Sequence, residues 1–122
     1  MYTLTNGGLI NALKEKRQNG TDVLAIFDEA QLARFSDIIF ELNNADIKYR
    51  TIGKEVARMH HKFLVIDDIK VITGSFNWTR QANKSNMENI MIVEDQNIAK
   101  EYRSEFDRIW QLIASRGIEN YL

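Results

Sequence analysis

The sequence predicts a single mixed α/β domain, of the α/β or α+β kind. Three observations carry that prediction. Segments with apolar residues at helical spacing alternate with short apolar runs of strand length. The run MHHKFLVIDDIKVITGSFNWT, residues 59–79, reads as a β-hairpin. The 122 residues, 44% of them apolar, suit one domain around one core.

The elements follow in order. Residues 5–20 read as a helix, with Thr5 or Asn6 as N-cap, Leu9, Ile10 and Leu13 as its stripe, and Gly20 after its end. The short apolar run 21–27 is a buried strand. Residues 29–46 read as one helix, because Leu32, Phe35, Ile38, Ile39 and Leu42 share a face. A short strand covers 47–50, and the hairpin follows. Residues 80–86 are a short polar helix or loop, and 88–94 a strand. The clearest helix spans 95–117. Asp95 caps it, Ile98, Tyr102, Phe106, Ile109, Trp110 and Ile113 mark one face, and Gly117 stops it.

Composition narrows the function. Sixteen basic and seventeen acidic residues leave a net charge of −1, so an anionic substrate needs a local basic patch. Without cysteine there are no disulfides or thiolate metal sites. No apolar run approaches the ~20 residues that span a bilayer. The N-terminus, MYTLTNGG, is neither a signal nor a transit peptide, which makes the cytoplasm the default location. Proline is absent, which argues against a linker or disordered tail, and no internal repeat is present.

The hairpin holds the candidate site. Strand residues alternate faces, so His60 and Lys62 point one way, as do Ser75 and Asn77. A turn centred on Asp68-Ile69 places Asp67 opposite Lys70, His60 opposite Asn77 and Lys62 opposite Ser75. Opposed side chains share a face at ~5 Å, so four polar groups converge at the hairpin's open end. The segment Phe63–Ile66 pairs with Val71 and Ile72 as a central strand. An imidazole, an ammonium, a hydroxyl and a carboxamide together suit a phosphate. A helix starting near Trp78-Thr79 adds its amides. His60 can attack phosphorus or shuttle a proton, and Glu88 is the candidate partner that fixes its tautomer.

The bland readings stand beside these. A lone histidine is more often structural, and it is the company of Lys62, Ser75 and Asn77 that reverses this for His60. His61 points to the opposite face and reads as packing or as a support behind the site residues. Asp67 closes the strand in a turn or hydrogen-bonding role. Trp78 reads as packing, and Tyr102, Phe106 and Trp110 as core or dimer contact. Arg58, Arg80 and Lys84 flank the site. No metal site is expected, because adjacent strand residues face apart.

The spacing His60-x-Lys62, four residues, Asp67, six residues, Gly74-Ser75-x-Asn77 resembles the HKD signature of the phospholipase D superfamily. YTLTNGGLINAL, NMENIMIVED and YRSEFDRIW also resemble that family's segments, so the similarity runs along nearly the whole chain. It is greatest with short single-motif members, the bacterial Nuc-type endonucleases and their mitochondrial relatives. The resemblance implies a phospholipase D-like fold, a mixed sheet flanked by helices. His60 would be the nucleophile that forms a covalent phosphohistidine. Lys62 and Asn77 would hold the non-bridging oxygens, supported by Ser75. Glu88 would hydrogen-bond the histidine, and Asp67 would be the motif aspartate. No metal and no cofactor is implied.

The family's site needs two such motifs, so one motif per chain implies a homodimer with a shared site. Members begin with a strand that leads into the YTLT segment. Here that first strand is missing, and residues 1–122 read as one nuclease domain trimmed at its N-terminus. A periplasmic or secreted location then stays open. The leading function is a metal-independent, non-specific endonuclease on DNA or RNA. The alternatives are a phospholipid phosphodiesterase and a non-catalytic dimerisation or scaffold module.

Overall fold

The structure, a computed structural model, describes residues 1–116. Gly117, the expected helix stop, lies outside the described residues.

Each element forms where local chemistry favours it. The first helix, α1 (Gly7–Gln18), starts at Asn6, whose side chain accepts from the amides of Gly8 and Leu9. Strand β1 (Leu24–Asp28) ends on an aspartate that caps α2 (Glu29–Leu32) by accepting from the Gln31 amide. The single helix expected over 29–46 is broken. Phe35, at φ −130° and ψ 76°, leaves the helical region, and α3 (Ser36–Asn44) begins after it. The apolar stripe survives the break: Leu32, Ile38 and Leu42 are buried, with Phe35 and Ile39 packed beside them. Strand β2 (Lys48–Ile52) follows.

The hairpin consists of β3 (Phe63–Ile66) and β4 (Lys70–Gly74), followed by α4 (Arg80–Lys84) and β5 (Ile90–Glu94). The last element, α5 (Gln96–Ser115), starts at Asp95, which accepts from the Ile98 amide. Its buried face is Ala99, Ile109 and Ile113, while Ile98, expected on that face, is 42% exposed.

Parallel and antiparallel pairings are both present, divided between two sheets. β1 and β2 pair in parallel, and β3, β4 and β5 form an antiparallel sheet in that order. Helices α1–α3 pack on one side of β1–β2, burying Phe27 and Tyr49 with Leu42. On the other side α5 buries Ile26 and Ile52 against Ile109 and Ile113. The same helix covers one face of the antiparallel sheet, where Phe63 meets Tyr102 edge-on at 5.1 Å. Between the sheets runs an apolar crevice bordered by Leu24, Ala25 and Ile26 of β1 and Phe63 and Leu64 of β3. The N-terminal amine reaches the Ile26 carbonyl at 2.6 Å beside it.

Two expectations for the hairpin are corrected. β3 is an edge strand rather than a central one. The central strand is β4, whose Val71 is fully buried. The register also differs by one residue. Ile66 pairs with Lys70 and Phe63 with Thr73, so the loop has three residues, Asp67, Asp68 and Ile69. Both aspartates have φ 52°, and the Ile69 amide donates to the Ile66 carbonyl. Aspartate tolerates this left-handed backbone better than most residues, so Asp67-Asp68 makes a tight turn that suits the twist of the strands.

Candidate active site

The register shift changes how the site is built. His60, His61 and Lys62 precede β3 and lie outside the ladder, so strict alternation does not govern them. All three border one open basin of about 700 Å³, with Ser75 at the end of β4 and Glu101, Tyr102 and Glu105 of α5 as its far wall. His61, expected on the opposite face, therefore shares the basin. Its Nε2 lies 3.4 Å from Glu105 Oε1, and its ring meets Phe63 edge-on at 5.4 Å. His60 and Lys62 lie together: the Lys62 ammonium is 3.2 Å from His60 Nδ1 and donates to the His60 carbonyl at 2.7 Å.

The Gly74-Ser75 step has a steric cause. Gly74 has φ 151°, and a Cβ there would lie 2.2 Å from the Asn89 carbonyl oxygen. With no side chain in the way, β4 and the start of β5 close together, and Ser75 is stitched to residues 88–89. Its amide donates to the Asn89 carbonyl at 3.1 Å, and its hydroxyl accepts from the Asn89 amide at 3.1 Å and donates to the Glu88 carboxylate.

Glu88 sits two residues before β5 and bonds Ser75 and Asn86, while the His60 ring nitrogens meet Lys62. Burial lowers the Lys62 pKa below the usual lysine value, and the Glu88 charge pulls it back up. Glu88 is thus coupled to the lysine of the pair in this arrangement. Asn77 holds a buried side-chain oxygen without a hydrogen-bond partner, in a segment that leads into α4. A buried amide oxygen with no donor carries a desolvation cost that only an incoming N–H or O–H donor would relieve. Thr79 caps α4 by accepting from the Ala82 amide, but α4 has only five residues and adds little to anion binding.

Asp67, placed among the catalytic residues by the motif, stands in the turn at the other end of β3 from His60 and Lys62. It takes part in the turn there at φ 52°. Among the described residues, no group of three His, Cys, Asp or Glu side chains is placed to hold a metal ion. No described helix is long and apolar enough to cross a membrane.

Sequence reasoning missed Tyr2, whose ring lies against His60 with centroids 4.9 Å apart. It also missed the acidic wall of Glu101 and Glu105, although their four-residue spacing beside Tyr102 was a usable signal. The bond to Arg108 holds the Glu105 carboxyl below the usual range, with a smaller contribution from His61.

An imidazole and an ammonium at the open end of an antiparallel hairpin, backed by a Gly-Ser-x-Asn strand end, define an enzyme domain of the phospholipase D type. The model of the family described as "Cardiolipin synthase, PLD-like domain" matches residues 1–110, and the chain belongs to that family within the phospholipase D superfamily. It is 38% identical over 111 residues to the Mitochondrial cardiolipin hydrolase of Xenopus tropicalis, covering 91% of this chain and 52% of that relative. It is 37% identical over 101 residues to a Phospholipase D of Rickettsia conorii, covering 83% of this chain and 50% of that relative. The chain spans about half the length of these curated relatives. The crystal structure of Nuc, a phospholipase D family member from Salmonella typhimurium, superposes with a TM-score of 0.83 at 26% identity. The match covers 90% of this chain and 74% of that one.

Proposed function

We propose that this domain hydrolyses phosphodiesters of nucleic acid through a covalent phosphohistidine on His60, at a site completed by a second copy of the chain. The observation that carries this reading is the His60–Lys62 pair at the mouth of an open basin large enough for a polymer backbone. A nitrogen of His60 attacks phosphorus and the bond to the leaving oxygen breaks. That oxygen takes a proton from the His60 imidazolium of the second copy. Water then attacks phosphorus and gives a proton to the second imidazole as the nitrogen–phosphorus bond breaks. Lys62 and Asn77 hold the non-bridging oxygens, and Ser75, bonded to the Asn89 amide, keeps the strand end in place. Glu88 turns from Ser75 to orient the imidazole when phosphate engages Lys62. The protein supplies the positive charge itself, so no metal is required.

The antiparallel sheet supports the choice of partner. Its face away from α5 carries Leu64, Ile72, Ile90 and Ile92 toward the Ser75 end, with Ile90 52% and Ile92 62% exposed, and Ile66 with the Lys70–Glu94 ion pair at the turn end. This apolar face adjoins the strand end that bears Ser75, where a second copy would both cover it and bring the missing proton donor. The acidic wall of Glu101 and Glu105 repels a polyanion and leaves the Lys62 side of the basin to receive it.

A second reading, a phospholipid substrate, is favoured by the relatives named cardiolipin hydrolase; the bond broken is of the same class. Labelled single-stranded DNA and cardiolipin-containing vesicles, each with excess EDTA, separate the two. Cleavage of DNA by the parent and not by His60→Ala supports the first. Lipid turnover with intact DNA transfers the site to the second. A His60→Ala protein as active as the parent on both ends the catalytic assignment.

A further inference from the structure

The segment ahead of α1 is fixed to the strand end that carries the site. The Trp78 amide donates to the Thr3 carbonyl at 3.1 Å, and the Trp78 carbonyl accepts from Thr5 at 2.7 Å and Asn6 at 2.9 Å. Leu4 forms a parallel bridge with Trp78 and is 3% exposed. Trp78 follows Asn77 directly, so these bonds tie the segment to the chain that leaves the Gly74–Asn77 stretch. Tyr2 is the first side chain beyond the anchored stretch, and it points back at the site. Its ring is 4.9 Å from the His60 imidazole with planes at 53°. The Lys62 ammonium lies 5.6 Å from the centre of the same ring.

This geometry places two forces on one side chain. Tilted aromatic pairs at this separation attract through their quadrupoles, and a cation within about 6 Å of a phenol ring is drawn to its face. The imidazole of a nucleophilic histidine must hold its attacking nitrogen in line with phosphorus, and rotation about the Cβ–Cγ bond would lose that line. His60 and Lys62 lie in a stretch without ladder hydrogen bonds, so the backbone alone does not fix them. The Tyr2 ring supplies the missing constraint from across the fold.

We propose that Tyr2 is a positioning residue for His60 and Lys62, a ring that braces the imidazole and the ammonium in their reactive arrangement. The assignment rests on the phosphodiesterase reading for its consequence in turnover but not for its geometry. The ring faces do the work, so Tyr2→Phe should keep the function and Tyr2→Leu should lose it.

The test uses the full chain with both variants. On the labelled single-stranded DNA in EDTA, Tyr2→Leu is expected to lower kcat about tenfold, with KM changed far less, and Tyr2→Phe to stay near the parent. In proton NMR the His60 ring signals of Tyr2→Leu should move toward those of an unstacked imidazole, and those of Tyr2→Phe should not. Thermal melts check that the variants are folded. Unchanged His60 signals in folded Tyr2→Leu overturn the proposal, as does a Tyr2→Phe protein that loses as much kcat as Tyr2→Leu. If the parent cleaves no DNA and no lipid, the phosphodiesterase reading falls and the NMR comparison alone decides the role of Tyr2.

Discussion

The two sheets of this domain are built to opposite designs. The parallel pair β1–β2 is covered on both faces: Phe27 is 2% exposed toward α1–α3, and Ile26 and Ile52 are 4% and 3% exposed toward α5. The antiparallel sheet is covered on one face, where Val71 is fully buried, while Ile92 on its other face is 62% exposed. Parallel strands need cover on both sides, and antiparallel strands tolerate an open one. Burial is therefore concentrated around β1–β2, and the candidate site lies where β3 and β4 leave the ladder. One helix, α5, serves both. Its C-terminal half closes the second core, and its middle turns wall the basin.

Breaking the comparison at its sharpest point means removing chemistry without touching a core. His60→Ala should lower DNA cleavage by at least about 10³-fold with an unchanged thermal melt, because His60 is exposed. The converse is Leu42→Ala. Leu42 is fully buried beneath β1–β2, and its truncation should cost about 2–5 kcal/mol in urea unfolding. Any loss of cleavage should then follow the unfolded fraction and vanish where the variant is fully folded.

The open face offers a finer test. Ile92→Asp should leave the fold intact but weaken self-association by about tenfold or more, read by solution mass across protein concentrations. Cleavage should fall with the dimer, and a variant that keeps both mass and activity would remove this face from the assembly. The smallest effect is expected at a helix start. Asp95→Ala loses the bond to the Ile98 amide and should cost about 1 kcal/mol without altering cleavage at temperatures where the protein is folded.

Much of the fold was legible because its signals are local. The caps at Asn6 and Asp95 and the stripe of Leu32, Ile38 and Leu42 follow from residues within a turn or two of one another. The helix over 29–46 was misread as continuous because periodicity does not see the backbone at Phe35 leave the helical region to seat its ring. The hairpin register was misread because two adjacent aspartates both took positive φ, a choice that ladder pairing on either side imposes. His61 reaches the basin because residues 60–62 precede the ladder, where strand alternation does not hold. Asp67, by contrast, needed no tertiary information to be read as a turn residue.

By itself the sequence determined the family signature and so the candidate site residues, since the spacing from His60 to Asn77 is a property of the chain. It also determined where most helices and strands begin, since caps and apolar periods act over a few residues. The tertiary structure decided which of those groups meet. Tyr2 lies on His60, Ser75 takes Glu88, and Glu105 reaches His61 because segments distant in sequence pack together. No local pattern encodes such contacts; they exist only once burial of the shared core has fixed the elements against one another.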